Sequence, residues 1–208
     1  MLTLIIVIST AAFSFFGFQR PELMSRYDFS PYRITHRNEY YRFFTHAFLH
    51  VDWVHLFINM LVFFSFGSYV EQTFIQMARA GYIRSGEFNF ILLYGSSIII
   101  SSLATFLKKR NDPYYIAVGA SGGVSAVLFT SIFFSPLQNV YLYMIIPLPG
   151  IVFGILYLAY SSYMGKKGKD NINHDAHFWG AVYGLIYPVI MEPSLLKNFI
   201  SQIKDFLS

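Results

Sequence analysis

The chain has 208 residues, of which 55% are hydrophobic and only 12% are charged, and these values exclude an ordinary soluble globular domain. Its net charge of +4 does not indicate nucleic-acid binding, because the lysines and arginines lie in short loops between apolar runs; the lipid bilayer is the predicted partner. The absence of cysteine excludes disulfides, thiolate metal sites and a cysteine nucleophile.

The first predicted element is an apolar helix over residues 2–18. A membrane-spanning helix needs roughly 20 mainly apolar residues, and this run has that character. It has neither the basic leader nor the small-residue cleavage site of a secretory signal, so we expect it to be retained as the first span. The loop that follows, residues 19–45, is rich in Tyr, Phe and Arg and is typical of a membrane interface.

The second span is predicted over residues 53–70, ending near Glu71, and the third over residues 88–107. His55 and Asn59 lie four residues apart near the start of the second span, so they share one face of the helix. The third span carries several serines, and small polar residues in a span usually lie against neighbouring helices.

Residues 113–165 contain no Asp, Glu, Lys or Arg, which leaves room for two spans and a tight connection. Pro136 and the amide side chains next to it divide this block. The division predicts a fourth span over residues 120–134 and a fifth over residues 139–163. Pro147 and Pro149 lack N–H donors, so the fifth span should be kinked there and suited to movement.

The sixth span is predicted over residues 176–191, after a basic loop at 166–170. Residues 194–208 are predicted to form an amphipathic helix at the membrane interface, because their apolar side chains share one helical face. This face comprises Leu195, Leu196, Phe199, Ile200, Ile203, Phe206 and Leu207. The sequence therefore predicts an all-α membrane protein, with six transmembrane helices over residues 1–193 followed by an interfacial helix.

Polar residues recur at one end of the second, fourth and sixth spans. Ser121 opens the fourth span and His177 the sixth. Because one span separates each pair, the three run parallel, and His55 and Asn59 should lie at the same depth as Ser121 and His177. Small residues that allow two helices to approach closely accompany them. They are Gly119, Gly122 and Gly123 around the serine, and Ala176, Gly180 and Gly184 around the histidine.

These polar residues have the composition of an acyl-transfer site. A neutral His177 can accept the proton of the Ser121 hydroxyl and so activate it as a nucleophile. His55, Asn59 and the backbone N–H of Ser121 at a helix N-terminus can stabilise an oxyanion. No carboxylate is well placed to complete a triad, so a Ser–His dyad is the simpler interpretation.

Two other interpretations of these residues compete with catalysis. Polar side chains within spans often serve only as interhelical hydrogen-bond partners, and a lone serine often bonds to the preceding turn. A metal site is the second interpretation, and its candidate ligands are His46, His50, His55, His174 and His177. The chain has no His-Glu-x-x-His pair and no acidic residue spaced with these histidines, so no metal or other cofactor is predicted.

Three motifs, each in the expected helix, resemble those of the rhomboid family of intramembrane serine proteases. They are Gly119-Ala-Ser121-Gly122, His55-x-x-x-Asn59 and Ala176-His177-x-x-Gly180-x-x-x-Gly184. His46 and His50 also look like the histidines that precede the second span in bacterial members, and Glu71 looks like the acidic residue that ends it. The resemblance covers all six predicted spans in order.

This resemblance implies that Ser121 is the nucleophile and His177 the base, with His55 and Asn59 lining the oxyanion hole. The implied substrates are transmembrane segments of other proteins, which would reach the site past the fifth span and the loop at 166–175. The implied location is a bacterial inner membrane with the active site toward the outer side, an orientation opposite to the one that the loop charges favour.

Two further function classes stay open at this point. A non-catalytic rhomboid-like protein would bind transmembrane clients without cleaving them, but such proteins typically lack the serine or the histidine. A small transporter would carry ionisable residues across several spans, whereas only one side of this bundle is polar.

Overall fold

In the computed structural model, residues 1–142, 145–168, 170 and 172–207 are described. Helices dominate this part of the chain, as the composition predicts. They are α1 (Leu2–Gln19), α2 (Pro21–Tyr27), α3 (Pro31–Arg37), α4 (Arg42–Thr45), α5 (Trp53–Arg79), α6 (Gly86–Lys109), α7 (Ser121–Phe134), α8 (Gly150–Lys167), α9 (His174–Met191) and α10 (Leu195–Leu207). Lys169 of the predicted basic loop and Ser208 of the predicted tail lie outside the described residues.

The helices predicted over residues 2–18, 88–107, 120–134 and 176–191 are confirmed as α1, α6, α7 and α9, with ends shifted by two residues or fewer. Among the residues that the structure describes, three helices, α1, α5 and α6, are long and apolar enough to cross a membrane, and α7 is apolar but has only 14 residues. The number of six spans therefore stays a prediction.

The predicted fifth span is wrong in its first half. Strands β1 (Asn139–Leu142) and β2 (Ile146–Pro149) form a two-stranded antiparallel hairpin, and helix begins only at Gly150. Because proline has no N–H donor and its ring obstructs the preceding helical turn, Pro147 and Pro149 do not fit a helix interior, whereas both can occupy an edge strand. The fold is thus helical with one short hairpin, and residues 143 and 144 of the predicted span lie outside the described residues.

The second span is longer than predicted, because α5 continues past Glu71 to Arg79. The Glu71 carboxylate is buried, and it accepts hydrogen bonds from the backbone N–H groups of Leu2 (2.7 Å) and Thr3 (2.9 Å). The free N–H groups at the start of α1 therefore stabilise this charge inside the bundle. An acidic residue that is satisfied in this way does not need to end its helix.

The first connection, residues 20–52 between α1 and α5, is an ordered layer over one end of the bundle. The buried Arg42 guanidinium donates to the buried Asp28 carboxylate at 2.6 Å and to its backbone carbonyl at 2.9 Å. The next residue, Phe29, exchanges two backbone hydrogen bonds with Ala117, at 2.8 and 3.0 Å. These contacts fasten the first connection to the segment that leads into α7.

Helix α7 occupies the centre of the protein, and every residue from Gly122 to Phe133 is buried. It packs against α5, α6, α8 and α9, and its contact with α9 is the most extensive between any two elements. At the far end of α7 the ring of Phe133 stacks on Phe199 of α10, with centroids 4.8 Å apart. The predicted helical tail is therefore present, and its position at the membrane interface stays a prediction.

Candidate active site

Ser121 is the first residue of α7, and the chain reaches it through Gly119, whose φ is +131°. This backbone conformation strongly favours glycine. The Gly119 N–H donates to the carbonyl of His46 at 3.0 Å, and a Cβ at this position would lie 2.7 Å from Cε1 of His55. The absence of a side chain at Gly119 is therefore what allows His55 on α5 to lie against the backbone that leads into Ser121.

His177 is the fourth residue of α9, because this helix begins at His174, two residues earlier than predicted. A methyl group at Gly180 would overlap the carbonyl of Gly122, and one at Gly184 would overlap the carbonyl of Ala126. From the first contact to the second, the chain moves four residues forward on α9 (Gly180 to Gly184) and four residues forward on α7 (Gly122 to Ala126). The two helices therefore run parallel, with their backbones in contact.

Their parallel contact places the N-terminal ends of α7 and α9 side by side. A Cβ at Gly122, one residue after Ser121, would lie 3.5 Å from the carbonyl oxygen of Ala176, the residue before His177. Ser121 also lines a small cavity with Asn173 and Ala176. Gly123 lies against α6, where an added Cβ would lie 2.8 Å from Tyr94 and 3.1 Å from Ile98.

No hydrogen bond joins the Ser121 hydroxyl to the His177 ring among the described residues. Catalytic hydrogen bonds are often long or poorly aligned without substrate and tighten only in the complex. The structure thus brings the two helix ends together and leaves the proton-transfer contact unformed.

Asn59 and His55 lie on consecutive turns of α5 beside this site. The Asn59 amide donates to the backbone carbonyl of His55 at 2.9 Å, and Nδ1 of His55 is buried with no hydrogen-bond partner in the described part of the chain. Asp52, which the sequence leaves without a role, caps α5 by accepting from the His55 N–H at 2.7 Å. Both candidate oxyanion donors therefore lie in the first two turns of α5, and the contact of His55 with Gly119 brings this end of α5 beside the start of α7.

His46 and His50 support the site from the first connection, outside the predicted spans. Nε2 of His50 accepts from the Ala120 N–H at 3.5 Å, and its Nδ1 lies 2.9 Å from the Ser14 hydroxyl. Nε2 of His46 lies 3.2 Å from the Ser102 hydroxyl. Burial lowers the pKa of His46 to about 4 and that of His50 to about 3, so both rings are neutral at pH 7.

The metal interpretation of the histidines gains no support from their contacts. Nε2 of His46 and both ring nitrogens of His50 have protein partners, and within the described residues no three His, Cys, Asp or Glu side chains group as metal ligands. The two histidines are better understood as hydrogen-bonding supports for the segment before Ser121.

Sequence reasoning missed the aromatic and polar residues around His177. The ring of Tyr157, from α8, stacks on His177 with centroids 6.3 Å apart, and its hydroxyl lies 2.6 Å from that of Ser125. His174 meets His177 edge to face at 5.8 Å, and its Nε2 lies 3.1 Å from both carboxylate oxygens of Asp170. This hydrogen bond lowers the pKa of Asp170. No spacing rule connects α8 to α9, so the sequence carries no signal for Tyr157.

The residues that form this site lie within a region of the chain that matches a known protein family. The family profile described as Rhomboid domain matches residues 37–194, which include α5 to α9 and every candidate site residue. The chain belongs to the rhomboid family. Because rhomboids act in the lipid bilayer and α1, α5 and α6 are long and apolar enough to cross it, this rhomboid is an integral membrane protein.

Three relatives have names that refer to the same family. A protein named "RHOMBOID-like protein 12, mitochondrial", from Arabidopsis thaliana, is 27% identical over 68% of this chain and 44% of its own length. "Putative rhomboid protease YdcA" of Bacillus subtilis is 27% identical over 71% of this chain and 65% of its own length. "Rhomboid protease GlpG" of Haemophilus influenzae is 22% identical over 77% of this chain and 74% of its own length. This rhomboid therefore spans less than two thirds of the first two.

Proposed function

We propose that this rhomboid is an intramembrane serine endopeptidase in which Ser121 and His177 act as a catalytic dyad. The observation that carries the proposal is the parallel contact of α7 and α9 at Gly122/Gly180 and Ala126/Gly184, which sets the two N-terminal ends side by side. A nucleophile and a base on such ends share one depth in the bilayer. The names of two relatives as rhomboid proteases agree with this function.

In the proposed reaction, His177 takes the hydroxyl proton as Ser121 Oγ forms a bond to the scissile carbonyl carbon. The developing oxyanion is stabilised by the His55 and Asn59 side chains and by the Ser121 N–H, because N–H groups in the first turn of a helix have no intrahelical acceptor. His177 then gives its proton to the leaving amine as the peptide bond breaks. A water molecule hydrolyses the acyl-enzyme by the same steps, and both Ser121 and His177 are regenerated.

The proposed substrates are transmembrane segments of other proteins, which reach the site past α8 and the loop at 166–175. Helix α8 lies at the edge of the bundle, where it packs on α7, α9 and the hairpin. A peripheral helix can be displaced at a lower cost than one inside the core. The bacterial inner membrane and an active site toward its outer side belong to the same proposal.

A cleavage assay tests the proposed function directly. Purified protein in detergent or vesicles is incubated with a reporter that contains a transmembrane helix. We expect cleavage by the wild type and a loss on the order of 10⁴-fold or more for both Ser121→Ala and His177→Ala. Ser131→Ala, in the same helix, and His36→Ala, in the first connection, are controls that should cleave normally.

A serine-reactive phosphonate, mapped by mass spectrometry, locates the nucleophile independently of the choice of reporter. The wild type should be modified at Ser121, and His177→Ala should react far more slowly. Equal cleavage by wild type and Ser121→Ala, or no cleavage together with no modification, would refute the protease proposal. The second result would favour a rhomboid-like protein that binds transmembrane clients without cutting them.

A further inference from the structure

The ring of Tyr157 is the aromatic surface on which His177 rests. The two rings are stacked, with an interplanar angle of 23° and centroids 6.3 Å apart, which is within the range of favourable offset aromatic pairs. Tyr157 belongs to α8 and His177 to α9, so this contact joins two helices. A ring that can otherwise rotate about its side-chain bonds is restrained on one face.

Two contacts to α7 hold Tyr157 in place. Its hydroxyl is hydrogen-bonded to Ser125 at 2.6 Å, and its ring packs against Phe129 with centroids 5.3 Å apart. Ser125 lies one helical turn after Ser121, and its small side chain leaves space for the tyrosine. One turn earlier on α8, a Cβ at Gly154 would lie 3.3 Å from the Phe129 ring, so the two helices approach closely here.

We propose that Tyr157 is the positioning residue for His177. It stacks on the imidazole and fixes the direction in which the ring nitrogens point, while the Ser125 hydroxyl fixes the tyrosine. The proposal rests on the proposed function, because His177 needs a fixed orientation only if it exchanges a proton with Ser121. A catalytic base must stay within hydrogen-bond reach of its partner, and small displacements are costly to the rate.

Because Tyr157 belongs to α8, its contact with His177 depends on the position of that helix. Because α8 lies at the edge of the bundle, an outward movement of α8 withdraws Tyr157 from both Ser125 and His177. The packing of α8 against the bundle and the orientation of the His177 ring are then coupled. The enzyme holds its base in position only when α8 is seated on α7.

Variants at both ends of the hydrogen bond test the proposal in the cleavage assay. Tyr157→Leu removes the ring, and we expect a fall in kcat of about tenfold with KM changed by less than about twofold, since a stacking contact corresponds to roughly that factor. Tyr157→Phe keeps the ring and should restore kcat to within about threefold of the wild type. Ser125→Ala and Tyr157→Phe break the same bond, so their effects should not add in the double variant.

Controls separate positioning from folding. Tyr163→Leu removes an exposed tyrosine from the same helix and should leave kcat unchanged. If Tyr157→Leu does not fold, Tyr157→Met fills the volume without a ring and should show the same loss of kcat at an unchanged melting temperature.

Three results would overturn the inference while the protease function stands. They are an unchanged kcat for Tyr157→Leu, an equal loss for Tyr157→Phe and Tyr157→Leu, and an effect confined to KM. Wild-type protein that neither cleaves nor reacts with the phosphonate would instead overturn the proposed function on which the inference rests.

Discussion

Gly119 meets two separate requirements at one residue. Its positive φ is strained for any other residue type, and its missing side chain makes room for the His55 ring. The sequence motif identifies the glycine, but the reason for it is a contact with a helix that begins far earlier in the chain.

Replacement of Gly119 by alanine should abolish most of the activity. The added Cβ would lie 2.7 Å from His55 Cε1, so His55 must move away from the oxyanion position. Gly81→Ala is a matched control, because Gly81 also has a positive φ (+81°) but no neighbour among the described residues lies within 4 Å of an added Cβ. In thermal melts, Gly81→Ala should lose about 1 kcal/mol of stability from backbone strain alone, Gly119→Ala should lose more because of the added clash, and only Gly119→Ala should lose cleavage. Equal activity of the two variants would contradict the role of the His55 contact.

To serve as an oxyanion donor, Asn59 must give up the hydrogen bond that its amide makes within α5. Its amide is bonded to the backbone carbonyl of His55, so we expect it to turn toward the substrate in the transition state. Asn59→Ala should lower kcat by about 10² to 10³ with a small change in KM. Gln202→Ala removes the same type of bond, to the carbonyl of Asn198 four residues earlier, from α10 and should leave kcat unchanged. Steady-state kinetics that show a loss only in KM would rule out the oxyanion role.

At the scale of the elements, the contact between α7 and α9 sets the geometry of the site. Small residues allow the two backbones to touch, and in a bilayer, where lipid tails are as apolar as side chains, such packing is a main source of helix association. The hairpin β1–β2 and the shortened α8 complete this arrangement on the edge of the bundle.

Gly184→Ala tests this contact away from the reactive groups. Its methyl group would overlap the carbonyl of Ala126, so α9 must move outward and carry His177 with it. We expect a loss of stability of about 1–3 kcal/mol, together with a fall in kcat. Gly95→Ala in α6, where the nearest atom to an added Cβ is 3.9 Å away, is the control; it should keep the wild-type kcat and be at least as stable as the wild type. A Gly184→Ala variant as stable and active as the control would argue against tight helix contact.

Across the whole molecule, most of the described lysines and arginines lie at the active-site end of the bundle, in the short helices between α1 and α5 and at the C-terminal ends of α6 and α8. The positive-inside rule would place this end in the cytoplasm, whereas the proposed orientation places it outside. The two possibilities predict different accessibility of the same residues.

The absence of native cysteine allows a clean test of orientation. A Lys167→Cys variant, at the exposed end of α8, should react with a membrane-impermeant thiol reagent in intact bacterial cells. A Tyr82→Cys variant, in the exposed turn between α5 and α6 at the opposite end, should react only after lysis. The reverse pattern would place the active site on the cytoplasmic side.

The sequence by itself determined the apolar helices and the polar residues at their ends. Helix-forming apolar runs and the Gly119–Gly123 motif are local features, and the alternation of spans fixes which helices run parallel. Hence α1, α6, α7 and α9 could be predicted almost to their ends, and Ser121 and His177 could be nominated together.

Only the tertiary structure decided what depends on distant contacts. Glu71 does not end α5 because the N–H groups of α1 satisfy it, and Pro147 and Pro149 form a strand because a partner strand is present. Tyr157 reaches His177 only through the packing of α8 on α7. Such contacts join residues with no fixed spacing along the chain, so periodicity and motifs do not reveal them.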